Sequence, residues 1–289
     1  MSFSSDVKEE LAKQVSKSRH CQLAELAGII ELSGRINEKT KGLELDTENL
    51  LLLNKYATLM KRAFGTDTTK AFNEQDTGKI LAALKITAQP VNRQTADGLL
   101  LMQTCCKRAF IRGAFMAAGS ISDPNKAYHF EIVCHTKEQA KQLQELLCGF
   151  DTDAKIVERK GHYVVYIKEG AHIVDSLNIM EAYVSLMKLE NVRILKEMRN
   201  SVNRKVNCET ANISKTVNAA VKQIEDIRLI QKMRGLDDLP AQLREMALLR
   251  LEYPDAPLKE LGGYLYPPMG KSGVNPRLRK LSAIAEELR

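Results

Sequence analysis

Two stretches of the chain are apolar or small at almost every position: Leu26-Ala-Gly-Ile-Ile-Glu-Leu-Ser-Gly-Arg-Ile36 and, 85 positions later, Ile111-Arg-Gly-Ala-Phe-Met-Ala-Ala-Gly-Ser-Ile121. Gly28, Gly34 and Ile36 recur as Gly113, Gly119 and Ile121, so the chain contains an internal duplication. Each copy predicts a helix that ends in glycine and runs into a strand. Two helices with such flat faces can pack backbone to backbone across a pseudo-twofold axis. Beyond the first copy, Gly34-Arg-Ile-Asn-Glu and the alternating Gly42-Leu-Glu-Leu-Asp predict a hairpin, followed by a helix from about Glu48 to Phe64. Thr68 to Phe72 and Ile80 to Ile86 read as two further strands around an Asp76-Thr-Gly78 turn. The second copy repeats this order. It predicts a strand from Tyr128 to Val133, a helix capped by Thr136 and reaching about Cys148, and strands at Ala154 to Arg159 and Tyr163 to Ile167 joined at Lys160-Gly161. Residues 1–190 therefore read as one duplicated α+β domain of αββαββα type, a saddle whose strands form a single continuous concave surface.

The composition changes after Glu190. Arg193, Lys196, Arg199, Arg204, Lys205 and Lys215 interleave with Asn191, Asn200, Asn203, Asn207 and Asn212, and residues 191–212 read as a basic, Asn-rich linker. On a helix Asn200, Asn203, Arg204 and Asn207 would share one face, with amide and guanidinium groups available to phosphates or base edges. In a polar linker the same asparagines would cap and turn, and the sequence leaves both readings open. Residues 213–289 predict an all-α domain of four helices: Ile213 to about Arg234 with Gly235 as its stop, Pro240 to about Glu252, a short helix opened by Pro257, and a last helix after the Tyr266-Pro-Pro-Met-Gly270 turn. Val274, Leu278, Leu281 and Ala285 form the buried stripe of that last helix. Two short helices across a tight turn, the second one basic, make a helix-turn-helix pattern.

Charge sharpens the division. Residues 191–289 carry 18 Lys and Arg against 12 Asp and Glu, while the first 190 carry 25 against 24, so the net +7 of the chain lies almost wholly in the last third. A basic module on a near-neutral body is the electrostatic footprint expected of a polyanion binder. No apolar stretch approaches the roughly 20 residues of a bilayer span and the N-terminus has no signal-peptide core, which predicts a cytoplasmic, nucleoid-associated protein with no membrane partner. The six cysteines contain no CxxC pair, so the spacing supports neither a zinc finger nor a thioredoxin-like site, and buried free thiols are expected. Cys134-His135 is the nearest approach to a ligand pair, but neighbours on a strand point to opposite faces. No metal or cofactor is predicted.

Outward positions of the last helix and of the residues before it are Lys271, Ser272, Asn275, Arg277, Arg279 and Lys280. Arg and Asn make bidentate contacts to guanine and adenine in a major groove, and Ser and Lys near a helix N-terminus suit phosphates. Together with Arg199, Asn203, Arg204 and Lys205 they are the candidate DNA-binding residues. The duplicated helices resemble the LAGLIDADG motif of homing endonucleases, in which paired helices form the centre of a DNA-binding saddle. In those nucleases the eighth motif position of each copy is a carboxylate holding a catalytic divalent metal. The same positions here are Ser33 and Ala118. Glu31 stands about 200° around the helix from Ser33 and cannot take over that position, its counterpart is Met116, and Asp123 has no matching acid in the first copy. The prediction is a protein without nuclease activity.

Leu258-Lys-Glu-Leu-Gly262 and Gly270-Lys-Ser-Gly-Val-Asn-Pro-Arg-Leu-Arg-Lys-Leu281, behind the degenerate LAGLIDADG domain and Asn203-Arg-Lys-Val-Asn-Cys-Glu-Thr-Ala-Asn212, resemble the WhiA family over essentially the whole chain. That resemblance implies a bacterial protein joining an inactive homing-endonuclease-like domain to a C-terminal helix-turn-helix. Its relatives are associated with sporulation in filamentous bacteria and with cell division and chromosome segregation more widely. The family usually has a histidine where this chain has Pro276. Proline has no backbone donor, so the last helix is expected to begin later, with Asn275 as cap and Pro276 at its first position, which re-aims Lys271 and Asn275.

The resulting expectation is a non-enzymatic, sequence-specific regulator that binds double-stranded DNA, with the saddle open to a regulatory protein. Since the duplication supplies an internal twofold, a monomer is expected, although a palindromic site would take two chains. Two alternatives use the same basic surface, a division-associated structural protein binding DNA without sequence preference and a protein binding RNA. The basic third has few aromatics for stacking unpaired bases, which favours duplex DNA, although Tyr253, Tyr264 and Tyr266 fall near the turn.

Overall fold

The computed structural model describes residues 2–66, 68, 72–86 and 90–289, and the chain divides into two units, residues 1–197 and 198–289. In the first unit, α1 (Phe3–Lys13) precedes the first motif helix, α2 (Arg19–Ser33), which passes through Gly34 into β1 (Gly34–Ile36). The antiparallel partner β2 (Leu43–Leu45) completes the predicted hairpin, and α3 (Leu50–Phe64) follows, capped by Asn49 and stopped by Gly65 in the left-handed region at φ 69°. Helix α4 (Glu74–Ala83) comes next. The second motif helix, α5 (Thr104–Ala118), leads into β3 (Gly119–Ile121) in the same way as the first. It is followed by β4 (Phe130–Cys134), α6 (Lys137–Cys148), β5 (Lys155–Arg159), β6 (His162–Ile167) and α7 (Gly170–Met180). This is the αββαββα order read from the second copy.

Small residues bring α2 and α5 together at the backbone. A Cβ on Gly28 would overlap the carbonyl oxygen of Phe110, and a Cβ on Gly113 that of Glu25. Helix α2 is buried at 12 of its 15 positions, as an all-round apolar helix must be. Within α6, Thr136 and Gln139 form a reciprocal capping box. Lys160 and Gly161, at φ 50° and 78°, supply the two positive φ values that a tight hairpin between β5 and β6 needs.

The first copy departs from its predicted pattern. Because Glu74–Ala83 is helical, Ile80 to Ile86 is not a strand and Asp76-Thr-Gly78 is not a turn. Leu81-Ala-Ala-Leu84 is made of strong helix formers, Asn73 caps the start by accepting from the Asp76 amide, and Thr77, Ile80 and Leu84 are buried at helical rather than alternate spacing. The Thr77 hydroxyl oxygen accepts from the Leu43 amide and so occupies part of the edge where a further strand would pair. Most of the predicted Thr68 to Phe72 strand lies outside the described residues. Among the described residues the strands form two separate sheets, β1-β2 and β3-β4-β6-β5, rather than one continuous surface.

One long helix, α8 (Tyr183–Met233), contains the whole of residues 191–212. No glycine or proline occurs between Gly170 and Gly235, and asparagine costs a helix only about 0.7 kcal/mol relative to alanine, so of the two readings open for residues 191–212, helix and turning linker, the helix forms. Asn191, Asn200, Asn203, Asn207 and Asn212 are helix-internal positions. The helix stops before Gly235, at φ 84°. The second unit continues with α9 (Ala241–Glu252), α10 (Leu258–Gly263) and α11 (Lys271–Glu287), which pack Leu243, Met246, Leu261, Leu265, Val274, Leu278, Leu281 and Ala285 against Ile227 and Ile230. No helix of the described residues is long and apolar enough to cross a membrane.

Candidate nucleic-acid interface

The helical spacing of its apolar residues orients α11. Val274, Leu278, Leu281 and Ala285 are buried, which turns Lys271, Ser272, Arg279 and Lys280 to solvent and leaves Asn275 and Arg277 half-buried at the margin. The turn before it is held by the Met269 amide donating to the Gly262 carbonyl at 2.8 Å, and a Cβ on Gly262 would overlap the Met269 carbonyl. Here the structure corrects the expected helix start. Gly270 is the N-cap, Lys271 begins the helix and Pro276 lies inside it, so Lys271 and Asn275 both belong to the helix and are not re-aimed by a late start. Only one backbone bond, that to the Ser272 carbonyl, loses its donor, and packing of the apolar stripe outweighs that loss.

None of Lys271, Arg277, Arg279 and Lys280 forms an ion pair or side-chain hydrogen bond with another described residue, which is equally true of Arg228, Lys232 and Lys259, whereas several other cations of the unit are engaged. Arg289 reaches Asp226 at 2.6 Å, Arg244 reaches Asp237 at 3.3 Å, and the buried Arg250 donates to the carbonyls of Pro254 and Ala256. Four unpaired cations with an amide and a hydroxyl on one helix can bind a polyanion and read base edges. A groove between α11 and the start of α9 is lined by Pro240, Gln242, Pro276, Arg277 and Lys280. No side chain caps α9, so its first amides stand beside two cations in an arrangement suited to a phosphate. Pro240 marked the onset of α9 in the sequence, but neither it nor Gln242 could be placed at the site from sequence, because their nearness to Arg277 is a property of the fold.

The second set of candidates lies apart from the first. Arg199, Asn203, Arg204 and Lys205 are exposed on α8, where residues 198–219 are exposed around the whole helix. Lys205 precedes Lys222, which reaches Glu286 of α11 at 3.8 Å, by about 25 Å of helix. Arg199, Asn203 and Arg204 fall within one broad face, and Lys205 points about 100° beyond Arg204. Arg193 and Lys196, which precede this stretch, have internal partners in the first unit. Arg193 pairs with Glu190 at 2.7 Å, while Lys196 donates to the Pro124 carbonyl at 2.6 Å and sits over the Tyr128 ring. Of the three tyrosines near the turn, Tyr253 and Tyr264 stack on each other at 4.4 Å and Tyr266 is 93% exposed.

At the ends of the motif helices, Ser33 donates to the Ile29 carbonyl at 2.7 Å and is buried. Glu31 is turned into the protein, where it accepts from the Ala96 amide at 3.0 Å and burial pushes its carboxyl up to about 8. The half-buried Asp123 accepts from the amide of Asn125, which holds its carboxyl below the ordinary range. Cys134 is buried on β4 and the His135 Nε2 lies 2.9 Å from the Leu32 carbonyl, so the pair considered as ligands is already occupied otherwise. On the sheet, Glu131 takes up Ser120, His129 and Arg159. A buried cluster that the sequence reading missed joins the motif helices: Glu25 lies 3.0 Å from both Lys55 Nζ and Arg112 Nε, and Arg112 also reaches Glu181 at 2.7 Å.

Comparison with known proteins matches both units. The profile of the WhiA C-terminal HTH domain matches residues 202–285 and that of the WhiA LAGLIDADG-like domain residues 107–199. The chain is 51% identical to a protein of Lachnoclostridium phytofermentans named "Probable cell division protein WhiA", covering all of both chains. It is 50% identical to a protein of the same name from Lachnospira eligens, covering 98% of that protein, and 43% identical to one from Clostridium botulinum, covering 99%. The crystal structure of full-length DUF199/WhiA from Thermatoga maritima superposes with a TM-score of 0.61 at 26% identity over 99% of each chain.

Proposed function

The chain belongs to the WhiA family, and from that premise we propose that it is a non-enzymatic regulator of cell division that binds double-stranded DNA and reads its sequence through α11. One observation carries this reading: Lys271, Arg279 and Lys280 on the outer face of α11, and Arg277 at its margin, stand unpaired on a helix whose inner face is the core of its unit. Arg277 and Arg279 contact guanine edges and Asn275 an adenine, while Lys271, Ser272 and Lys280 hold phosphates at the helix start and in the groove beside α9. Arg199, Asn203, Arg204 and Lys205 add backbone contacts that carry affinity without sequence information. On the sheet of the first unit Arg159 is paired with Glu131 and Lys155 with Asp153. That unit therefore takes a supporting or protein-docking role, and with Ser33 and Ala118 at the motif ends it lacks the paired carboxylates of a metal-dependent nuclease.

Chromatin immunoprecipitation with sequencing of the wild-type protein beside an Arg277→Ala/Arg279→Ala variant tests the proposal. Discrete promoter peaks that vanish in the variant are expected. In vitro, each arginine should carry roughly 1–3 kcal/mol of preference for its site over a single-base variant. Diffuse occupancy unchanged by the double substitution would overturn sequence reading by α11 and favour a structural protein binding through α8. Magnesium-dependent nicking of supercoiled plasmid by the purified chain would overturn the non-enzymatic part.

A further inference from the structure

Four soft ligands converge where the duplicated helices begin. His20 and Cys21 occupy the first turn of α2, and Cys105 and Cys106 the first turn of α5. The pairs are related by the same offset of 85 residues as Gly28 and Gly113, so the repeat that aligns the glycines also aligns His20 with Cys105 and Cys21 with Cys106. Their ligand atoms all lie within 4.8 Å of one another. His20 Nδ1 stands 3.2 Å from Cys106 Sγ, 3.3 Å from Cys21 Sγ and 4.0 Å from Cys105 Sγ. A tetrahedral zinc ion bound at about 2.3 Å to sulfur and about 2.0 Å to nitrogen requires ligand separations of about 3.5–3.8 Å. The observed spacings bracket that value.

We propose that His20, Cys21, Cys105 and Cys106 form a tetrahedral site for a single zinc-like divalent ion that clamps the N-terminal ends of α2 and α5. Three thiolates and an imidazole are a donor set for a soft or borderline metal, and hard cations such as magnesium and calcium are disfavoured. Atoms this close together fit around one metal and cannot surround an iron–sulfur cluster. Charge supports the assignment. Three thiolates leave a divalent site with one net negative charge, and it would sit at two helix N-termini, each the positive end of a helix dipole. Neither Ser18 nor Gln103, the N-caps of these helices, gives a side-chain bond to the first-turn amides; the Cys106 amide donates to the Gln103 carbonyl at 2.9 Å, and no side chain of the caps competes for the others. Cys21 and Cys106 are buried while His20 and Cys105 are exposed, which gives the ion a path from solvent and two ligands fixed by packing. The absence of a CxxC spacing hid this group, because the ligands come as adjacent pairs on two separate helices.

The full chain, purified under reducing conditions and stripped with a chelator, would be titrated with zinc against a chromophoric competitor and, separately, with cobalt. One ion per chain is expected, with the intense visible bands of tetrahedral cobalt–thiolate coordination and a higher thermal midpoint in zinc. Cys105→Ser and His20→Asn alter exposed ligands and leave the core intact; each should weaken binding by more than about tenfold, since loss of even a ligand's supporting partner costs that much. Cys148→Ser, an exposed cysteine outside the group, serves as the control and should change nothing. A wild-type chain that binds less than one ion, a pale octahedral cobalt spectrum, or unchanged affinity in the Cys105→Ser and His20→Asn proteins would overturn the proposal. DNA binding is not the readout, so the result is independent of the function proposed above.

Discussion

Gly28 and Gly113 are reciprocal: each packs its bare Cα against the carbonyl of the residue three positions before the other, Phe110 for Gly28 and Glu25 for Gly113. The atoms in the way are backbone on both sides, so neither helix can yield by changing a rotamer. Gly28→Ala and Gly113→Ala are each expected to destabilise the first unit by about 1–3 kcal/mol, toward the upper end, as overpacking does where nothing can move. Gly98→Ala, whose Cβ would meet open space, should stay within about 0.5 kcal/mol of wild type. Urea unfolding curves of the three variants check this.

Glu31 ties stability to pH. Burial raises its carboxyl from 4.5 to about 8 in the folded chain, so between those values the folded state holds a proton that the unfolded state has released. Stability from this group is complete below the unfolded value of 4.5 and declines as pH rises, until it is lost above about 8. Glu31→Gln is therefore expected to raise the unfolding free energy at pH 8, on the order of a few kcal/mol, and to flatten its decline between pH 5 and 8. Equilibrium denaturation across that range reads the slope; a wild-type slope retained in the variant would assign the effect elsewhere.

The proline inside α11 predicts another stabilising substitution. Pro276 removes one backbone donor from a helix that otherwise runs unbroken from Lys271 to Glu287. Pro276→Ala restores the bond to the Ser272 carbonyl and should stabilise the second unit by about 1–3 kcal/mol. Calorimetry of the full chain would show the transition of that unit moving up while the other stays.

Phosphate binding by α8 has a signature in salt. Replacing Arg199, Arg204 and Lys205 together by alanine should weaken binding to every duplex alike and reduce the slope of log K against log salt by about 2–3, close to one unit for each phosphate that is no longer neutralised. A changed preference between sequences, with the slope unaltered, would instead make these residues base readers.

Legibility in the sequence followed the range of the interaction. The second copy was readable because its signals are local: a Thr136 cap, a Lys160-Gly161 turn and alternating strands. The first copy misled at Ile80, where Ile80, Ala82, Leu84 and Ile86 satisfy a period of two while Thr77, Ile80 and Leu84 satisfy a helical one, and only the cap at Asn73 and the Leu-Ala-Ala-Leu composition separate them. The asparagines of 191–212 left helix and turning linker both open because their preference for turns is real, but without glycine or proline it is too weak to stop α8. Lys271, Arg277, Arg279 and Lys280 could be located from the apolar stripe opposite them. Their freedom from partners could not, nor could the Glu25–Lys55–Arg112 cluster, because both depend on what distant segments bring alongside.

The contact between the two glycine helices also fixes the smallest piece of this chain that can fold. Because the copies meet through backbone and bury Glu25 of one beside Arg112 of the other, a single copy released alone would expose a flat apolar helix and lose the Glu25–Arg112 pair, leaving Glu25 only Lys55 and Arg112 only Glu181. Neither half should exist as a cooperative unit by itself, even though the duplication arose from one. The halves form and unravel together, and a chain cut in the loop between them at Gly98 should stay assembled as a non-covalent pair until both unfold at once.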